Sequence, residues 1–326
     1  MITNSAIQNQ QLRPATDKNQ SLVLTPLQDL GGFLFHHLGR LLLFLITCSS
    51  VLLVLLIFFF VIREAIPFLT KFSLTEFLTT KSWYPEAATP KFGALSLIVG
   101  SLYVTIAALI FAVPTGILAA IFLSDIVSLK VRDFIKPVIE ILAAIPSVAY
   151  GFFAVLVLAP WMQNKWGFTT GTNALNASII LSIMALPTII SVAEDSISAV
   201  GRELREASYG LGATRFETIF KVVIPAAHSG IIAAIVLGMM RAIGETMVVW
   251  MASGNANQIP SPWWDLSQSV RTMTATIAGD MGETPKDSPH YWSLFAIGVV
   301  LLLMTFLLNI ISEYFLASAK KKTGKS

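Results

Sequence analysis

Long stretches without a charged residue constrain the fold of this chain more than any other feature. No Asp, Glu, Lys or Arg occurs in residues 41–62, 92–124, 141–164, 166–193 or 288–312. A helix needs about 20 apolar residues to cross the hydrocarbon layer of a membrane. Only 13% of the residues are charged and 55% are hydrophobic, whereas ordinary soluble domains carry about 25% charged residues. We therefore expect an all-α polytopic membrane protein and exclude a soluble globular fold.

The charge-free stretches predict six transmembrane helices, which places both termini on the same side of the membrane. The predicted spans are 39–62, 94–122, 138–160, 174–193, 226–252 and 292–317. The expected organisation is a cytoplasmic tail, a first transmembrane helix, a periplasmic loop, a core of five further helices and a basic tail. These regions are 1–37, 38–63, 64–93, 94–317 and 318–326.

The distribution of basic residues predicts the orientation of the spans. Lys and Arg are about twice as numerous in the two tails and the second-to-third and fourth-to-fifth connections as in the remaining connections. Cytoplasmic segments carry this excess, so both termini should lie in the cytoplasm. The net charge of +3 therefore reflects orientation in a lipid membrane, and it does not indicate binding to nucleic acid.

The sequence lacks the motifs of several kinds of active site. It contains no G-x-x-x-x-G-K-[ST] phosphate loop, no H-E-x-x-H motif and no Cys/His spacing typical of a metal site. Cys48 is the single cysteine, which excludes an internal disulfide. We also expect no cleavable signal peptide, because the first apolar run is too long for one. The prediction is a chain without catalytic residues, bound metal or bound cofactor.

Arg241 and Glu245 are the exceptional charges within a predicted span. They lie four residues apart in GMMRAIGETMVV, residues 238–249, so a continuous helix would place them on one face. A charge at the centre of a membrane costs about 2.5–3.5 kcal/mol, so both should face other helices or a hydrated path. Either the two neutralise each other and fix packing, or Arg241 meets an anion while Glu245 orients it or keeps the path closed. We favour the second interpretation, because a guanidinium can bind two oxygens of an oxyanion at once.

The polar connection at 194–225 predicts an element that docks on another protein. Its charged first half should form a helix, followed by a turn at Gly210 and Gly212 and a second, partly apolar helix. Pro225 suits the start of the helix that continues into the fifth span. A short rigid helix of this kind can lie in a groove of a partner protein.

Within this connection, the order Glu206-Ala207-Ser208, Gly212, Val222-x-Ile224-Pro225 resembles the EAA loop of ABC importer permeases. The spacing agrees throughout, while Ser208, Val222 and Ile224 are conservative departures from the pattern. The resemblance implies that these residues couple the chain to a cytoplasmic ATPase.

Three further segments, KFGALSLIVGSLYVT, EILAAIPSVAYGF and RAIGETMVV, resemble the PstC-type permease of phosphate-specific ABC importers. The resemblance extends over about residues 76–315. It implies a type I permease fold in a bacterial inner membrane, with Arg241 and Glu245 as transport residues. It also implies a second permease of PstA type, an ATPase dimer of PstB type that uses the ATP, and an outer phosphate-binding protein of PstS type.

Three alternatives remain compatible with the sequence. The first is an ABC permease for another oxyanion, such as sulfate or molybdate, since the RAIGET segment is shared in part by related permeases. The second is an ion-driven carrier that needs no ATPase, which the EAA loop disfavours. The third is a membrane scaffold that reports phosphate without transporting it.

Overall fold

The computed structural model describes residues 26–322, with side chains for residues 37–314 and 317. Most of the predicted tail 1–37 and the last four residues of the predicted basic tail therefore lie outside the described residues. The chain divides into two compact units, one ending at Phe59 and the other beginning at Phe60. The described part of the first unit is entirely helical, and the second contains the candidate site.

Helices dominate the described chain, which confirms the predicted all-α class. In chain order they are α1 (Pro26–Lys71), α2 (Leu74–Thr79), α3 (Leu95–Ile121), α4 (Leu129–Ala144), α5 (Ser147–Phe153), α6 (Ala159–Trp166), α7 (Ala174–Ser198), α8 (Arg202–Gly210), α9 (Arg215–Thr218), α10 (Ile224–Ala226), α11 (His228–Ile243), α12 (Met247–Ala252), α13 (Met273–Asp280) and α14 (Pro289–Lys322). Turns of π-helix extend α3 and join α5 to α6 and α9 to α10, at Phe122–Ile126, Ala154–Leu158 and Ile219–Val223. A small antiparallel hairpin pairs β1 (Trp83–Tyr84) with β2 (Lys91–Phe92).

Four described helices are long and apolar enough to cross a membrane by themselves. These segments are His37–Lys71, Leu95–Ile126, Ala174–Ser198 and Pro289–Tyr314. Two further spans are bent pairs, α4 with α5–α6 at an angle of 87° and α9–α10 with α11 at 72°. Counting each bent pair as one span gives up to six, which agrees with the predicted number.

The third and fifth predicted spans, 138–160 and 226–252, are interrupted in the structure. The third is interrupted at Ile145 and Pro146, both of which have extended backbone. Proline disfavours the helical conformation of the residue before it and has no N–H to donate to the preceding turn. The fifth stops at Ile243 and resumes at Met247, so two spans are discontinuous.

Small residues recur at every fourth position along α3 and α11, a spacing that predicts close helix contacts, and both helices do pack closely against α7. All six predicted small residues are buried: Ala112, Gly116, Ala120, Ala234, Gly238 and Ala242. Ile189 of α7 is fully buried between two of them. A Cβ added to Gly116 would lie 2.7 Å from Ile189 Cγ2, and one added to Gly238 would lie 2.5 Å from Ile189 Cγ1. The three helices therefore meet at a point with no room for another methyl group.

Polar contacts fix the loop between the fifth and sixth spans. Asp280, at the end of α13, accepts a hydrogen bond of 2.6 Å from Arg271 Nη2 and lies 3.4 Å from His290 Nε2. The Nε1 of Trp83 donates to the same carboxylate at 3.5 Å. Burial alone would raise the pKa of Asp280, but the polar contact with His290 and the positive charge of Arg271 together lower it below its ordinary value. The carboxylate is therefore ionised at neutral pH and holds α13 against α14 and the hairpin.

Candidate functional site

The interruptions of the third and fifth spans lie next to each other. Arg241, in the last turn of α11, donates from Nη2 to the carbonyl oxygen of Ala143 near the end of α4, at 3.4 Å. Beyond the two interruptions, α5 and α12 also pack together, and a Cβ added to Gly151 would lie 2.5 Å from the Sδ of Met251. Interrupted helices in membrane transporters expose unpaired backbone groups that can bind a substrate or ion. This junction is therefore the candidate site.

Arg241 keeps hydrogen-bonding capacity at this junction. Its side chain is partly buried, and its single hydrogen bond in the described chain is the long one to Ala143. The Nε of Arg241 is buried and has no partner among the described residues. A guanidinium has five N–H donors in a planar fork. Most of these donors are therefore available to an anion that enters between the interrupted helices.

Glu245 does not occupy the position that the sequence suggested. A continuous helix would place it one turn beyond Arg241 on the same face, but α11 ends at Ile243 and Glu245 lies in the interruption. Its backbone N–H donates to the carbonyl of Ala242, and its own carbonyl accepts a hydrogen bond of 2.9 Å from Thr274. No ion pair joins Arg241 to Glu245 in residues 37–314. The described structure therefore does not support mutual neutralisation of the two charges.

A small cavity with a mixed polar and apolar lining adjoins Glu245. Its wall includes hydroxyl groups from α3 and from the N-terminal end of α13, contributed by Ser101, Thr105, Thr272 and Thr274. The cavity has a volume of about 10 Å³, at the lower limit of the room that one water molecule needs. The region around Glu245 therefore combines hydroxyl groups with apolar side chains and is closed to any larger solute in this conformation.

The helix, turn and second helix predicted within 194–225 are present as α8, a turn and α9. Gly210, however, ends α8 and does not lie in the turn, and residues 194–198 still belong to α7. Gly212 in the turn has a φ of +86°, in the left-handed region that favours glycine. Thr214 caps α9 through a capping box, in which its side chain and that of Glu217 bond each other's backbone N–H. The T-x-x-E pattern at 214–217 is a sequence signal for this helix start.

The residues predicted to couple this segment to a partner fall into two groups. Glu206, Ala207, Gly212 and Pro225 are exposed. Ser208 is buried and shares a hydrogen bond of 2.9 Å with Thr218, so it holds α8 against α9. Val222 and Ile224 are partly buried, and Ile224 packs against an apolar cluster that includes Val223 and Ala227.

Several exposed apolar side chains of the same segment were missed in the sequence, among them those of Tyr209, Leu211 and Phe216. Tyr209 is 44% exposed, Leu211 is 90% exposed and Phe216 is 68% exposed. Large exposed apolar side chains on a polar segment indicate a surface that contacts another protein or the membrane. Their occurrence within an otherwise charged stretch was the available signal.

The described residues offer no site for a metal. No group of three or more His, Cys, Asp or Glu side chains comes together among them. The polar group at the junction with unused donors is the guanidinium of Arg241, which suits reversible binding of an anion.

Comparison with known proteins places this architecture in a family. Residues 112–321 match the sequence profile of the binding-protein-dependent transport system inner membrane component. The chain is 42% identical over 246 residues to the probable ABC transporter permease protein YqgH of Bacillus subtilis, covering 76% of this chain and 78% of the relative. It is 37% identical over 267 residues to the phosphate transport system permease protein PstC of Mesorhizobium japonicum, covering 76% and 80%.

The fold is also that of solved ABC importers. The chain aligns with a subunit of a bacterial alginate ABC transporter, solved in complex with an alginate pentasaccharide-bound periplasmic protein, at a TM-score of 0.58 and 15% identity. The alignment covers 89% of this chain and 98% of that one. At this identity the likeness concerns the fold alone. From the profile match and the identities above 30%, we conclude that the chain belongs to the binding-protein-dependent transport system inner membrane components, the transport permeases of ABC transporters.

Proposed function

We propose that this chain is the PstC-type membrane subunit of an ABC importer that moves inorganic phosphate across the bacterial inner membrane by alternating access. Three relatives that are named as PstC phosphate permeases are 31–37% identical to it over 76% of its length. The observation that carries the proposal is the guanidinium of Arg241, which lies between two interrupted helices with unused donors.

Phosphate matches the chemistry of this junction. It carries one to two negative charges at neutral pH and presents oxygens that a guanidinium can bind in pairs. The closed cavity beside Glu245 means that the interrupted segments must move before such an ion can pass. Arg241 then binds the ion transiently, while the hydroxyl groups and Glu245 line the far side of the path.

Energy for this movement comes from a partner chain in the proposed complex. Both termini and the segment 194–225 face the cytoplasm, where the exposed surface around Leu211 and Phe216 docks on an ATPase dimer of PstB type. ATP is bound and hydrolysed there, and this chain binds no cofactor. A second permease of PstA type completes the pathway, and a phosphate-binding protein of PstS type delivers the ion from outside.

ATP-dependent uptake of labelled phosphate by the reconstituted four-part assembly tests the proposal. We expect uptake that requires ATP and is not reduced by a tenfold excess of sulfate or molybdate. Competition by either anion at equal concentration would assign the permease to that oxyanion instead. Uptake by this chain alone under an ion gradient, without the ATPase, would identify an ion-driven carrier.

A further inference from the structure

Arg205 of α8 contacts the ends of two transmembrane helices, the preceding one and one that lies far from it in the sequence. Its Nη1 forms an ion pair with Asp125 in the π-helical turn that ends the second span. Its Nη2 donates to the carbonyl of Ile197 at 2.8 Å, and its Nε donates to the carbonyl of Val200 at 3.4 Å. One guanidinium therefore connects α8 to the end of the second span and to the end of the fourth.

The environment of this contact is largely closed to solvent. The side chain of Asp125 is 5% exposed and that of Arg205 is 17% exposed. An ionised carboxylate at this degree of burial needs a partner, and removing that partner leaves an uncompensated charge. The Ile197 and Val200 carbonyls lie at the C-terminal end of α7, where a cation satisfies unpaired carbonyls and interacts favourably with the helix dipole. The carboxylate of Asp125 and these two carbonyls together fix the position of the Arg205 side chain.

A second cluster extends the connection to the third span. Glu194 of α7 is 1% exposed and pairs with Arg132 and Lys136, both on α4. Lys136 also pairs with the exposed Asp195 at 2.7 Å. Because Glu194 is one turn before Ile197, the carbonyl that accepts from Arg205, the same end of α7 holds both α4 and α8. The ends of three spans are thereby linked to the segment that carries the docking surface.

The other side chains of α8 do not provide this link. Within the described chain, Arg205 and Ser208 are the α8 residues with side-chain hydrogen bonds or ion pairs. Ser208 reaches only Thr218, in the next helical segment. A displacement of α8 is therefore transmitted to the transmembrane bundle through the chain on either side of it and, among its polar side-chain contacts, through Arg205.

We propose that Arg205 is the positioning residue that transmits movement of α8 to the second and fourth spans, acting through Asp125 and the end of α7. The inference rests on the proposed function, since it assumes that α8 docks on an ATPase. Because the contact joins α8 to the spans mechanically, it would also carry a movement of the spans, caused by the outer binding protein, back to the ATPase.

The test compares Arg205→Gln, Asp125→Asn and their double variant in the reconstituted assembly. We expect each single variant to co-purify with the ATPase at normal yield and to keep basal ATP hydrolysis within twofold. Phosphate uptake should fall at least tenfold, and stimulation of hydrolysis by the phosphate-loaded binding protein should be lost. The double variant should be no worse than either single variant, because both remove the same contact.

Lys221→Gln is the matched control. Lys221 pairs with Glu217 at 3.2 Å in the same segment, but it is 73% exposed, and such surface pairs contribute little. We expect normal uptake and normal stimulation from this variant. Arg205→Lys keeps the positive charge but lacks the paired donors of the guanidinium, so we expect an intermediate loss of uptake. If Arg205→Gln does not accumulate in the membrane, Arg205→Lys takes its place in the test.

Several results would overturn the inference. Normal uptake and stimulation in Arg205→Gln would show that the contact transmits nothing. Loss of the bound ATPase, or a parallel loss of basal hydrolysis, would show that Arg205 serves assembly instead. Additive losses in the double variant would show that Asp125 and Arg205 act separately. Absence of phosphate uptake by the unaltered assembly is a different outcome, which would contradict the proposed function.

Discussion

At the scale of single residues, Arg241 is the side chain whose surroundings are least explained by structure alone. A charge within the membrane costs about 2.5–3.5 kcal/mol, and an arginine that served only packing should satisfy its donors within the protein. Arg241 instead has one long hydrogen bond to Ala143 and an unpartnered, buried Nε. The cost of placing a charged and incompletely hydrogen-bonded arginine here is explained if Arg241 binds an anion during transport.

The first prediction concerns the charge of Arg241. Arg241→Gln keeps a polar side chain but removes the charge and the fork, so we expect phosphate uptake to fall more than a hundredfold while the assembled complex purifies normally. Arg241→Lys should retain a measurable part of the uptake, because it keeps a point charge without paired donors. Labelled-phosphate uptake in vesicles with matched protein amounts measures both variants. Unaltered uptake in Arg241→Gln would remove Arg241 from the pathway.

At the scale of structural elements, two connecting segments have clear local causes for their conformation. The turn between α8 and α9 depends on the left-handed backbone of Gly212 and on the cap that Thr214 provides. The loop that contains α13 depends on the buried carboxylate of Asp280. The first is a matter of backbone conformation and the second a matter of charge, so they should respond to different substitutions.

Gly212 provides the second prediction. Nothing lies within 4 Å of a Cβ added there, so any penalty comes from its φ of +86° and not from a clash. Gly212→Val should distort the turn and abolish co-purification of the ATPase, because β-branched residues strongly resist this conformation. Gly212→Asn should keep most of the binding, because Asn tolerates left-handed backbone. Gly210→Ala is the control. A Cβ added to Gly210 also has nothing within 4 Å, but Gly210 lies in α8 and has no positive φ. Loss of ATPase binding in this variant would show that added side-chain bulk on the surface, and not the conformation of the turn, prevents binding.

Asp280 provides the third prediction. Asp280→Asn removes the charge that faces Arg271, and we expect the detergent-solubilised protein to lose about 2 kcal/mol of stability at pH 7, the worth of a hydrogen bond between charged groups. Glu283→Gln is the control, an exposed carboxylate in the same loop, and should leave the melting temperature unchanged.

The pH dependence of this contribution follows from the lowered pKa of Asp280. A carboxyl group whose pKa is lower in the folded than in the unfolded protein stabilises the fold above its unfolded pKa. The contribution is lost as the pH falls through the lower, folded value. The difference in melting temperature between the unaltered protein and Asp280→Asn should therefore be constant from pH 8 to pH 5 and shrink only in stronger acid, below the ordinary carboxyl range near pH 4. A difference that already shrinks between pH 7 and pH 6 would contradict this assignment to the Asp280 carboxylate.

At the scale of the whole molecule, the sequence predicted those features that depend on local patterns. Six spans followed from the charge-free stretches, and the close helix contacts followed from the spacing of Ala112, Gly116 and Ala120. The interruption at Gly244–Thr246 did not, because Arg241 and Glu245 at a spacing of four also fit a continuous helix. The contact between Asp125 and Arg205 could not be predicted from the sequence either, because eighty positions separate the two residues and only the packing of the spans brings them together.

The helices of the bundle are closely packed in one region and held by fewer contacts in another. Ile189 fills the point where α3, α7 and α11 meet, whereas the interrupted helices near Arg241 are joined there by a long hydrogen bond. If α3, α7 and α11 move as one body while the interruptions open, then crowding at Ile189 should reduce the stability of the bundle as a whole. Gly238→Ala adds a methyl group at a distance of 2.5 Å from Ile189 Cγ1, and overpacking of this kind costs about 1–3 kcal/mol.

The fourth prediction uses a compensating change at the same point. Ile189→Ala alone should destabilise the protein by about 2–5 kcal/mol, because it removes buried methyl groups and leaves a cavity. Gly238→Ala placed in that background fills part of the cavity, so the double variant should be more stable than Ile189→Ala and the two effects should not add. Thermal unfolding in detergent measures all three variants, with Gly201→Ala, at an open position, as the control. Strictly additive losses would mean that Gly238 and Ile189 do not share one packing site, and the three helices could then no longer be treated as one rigid body.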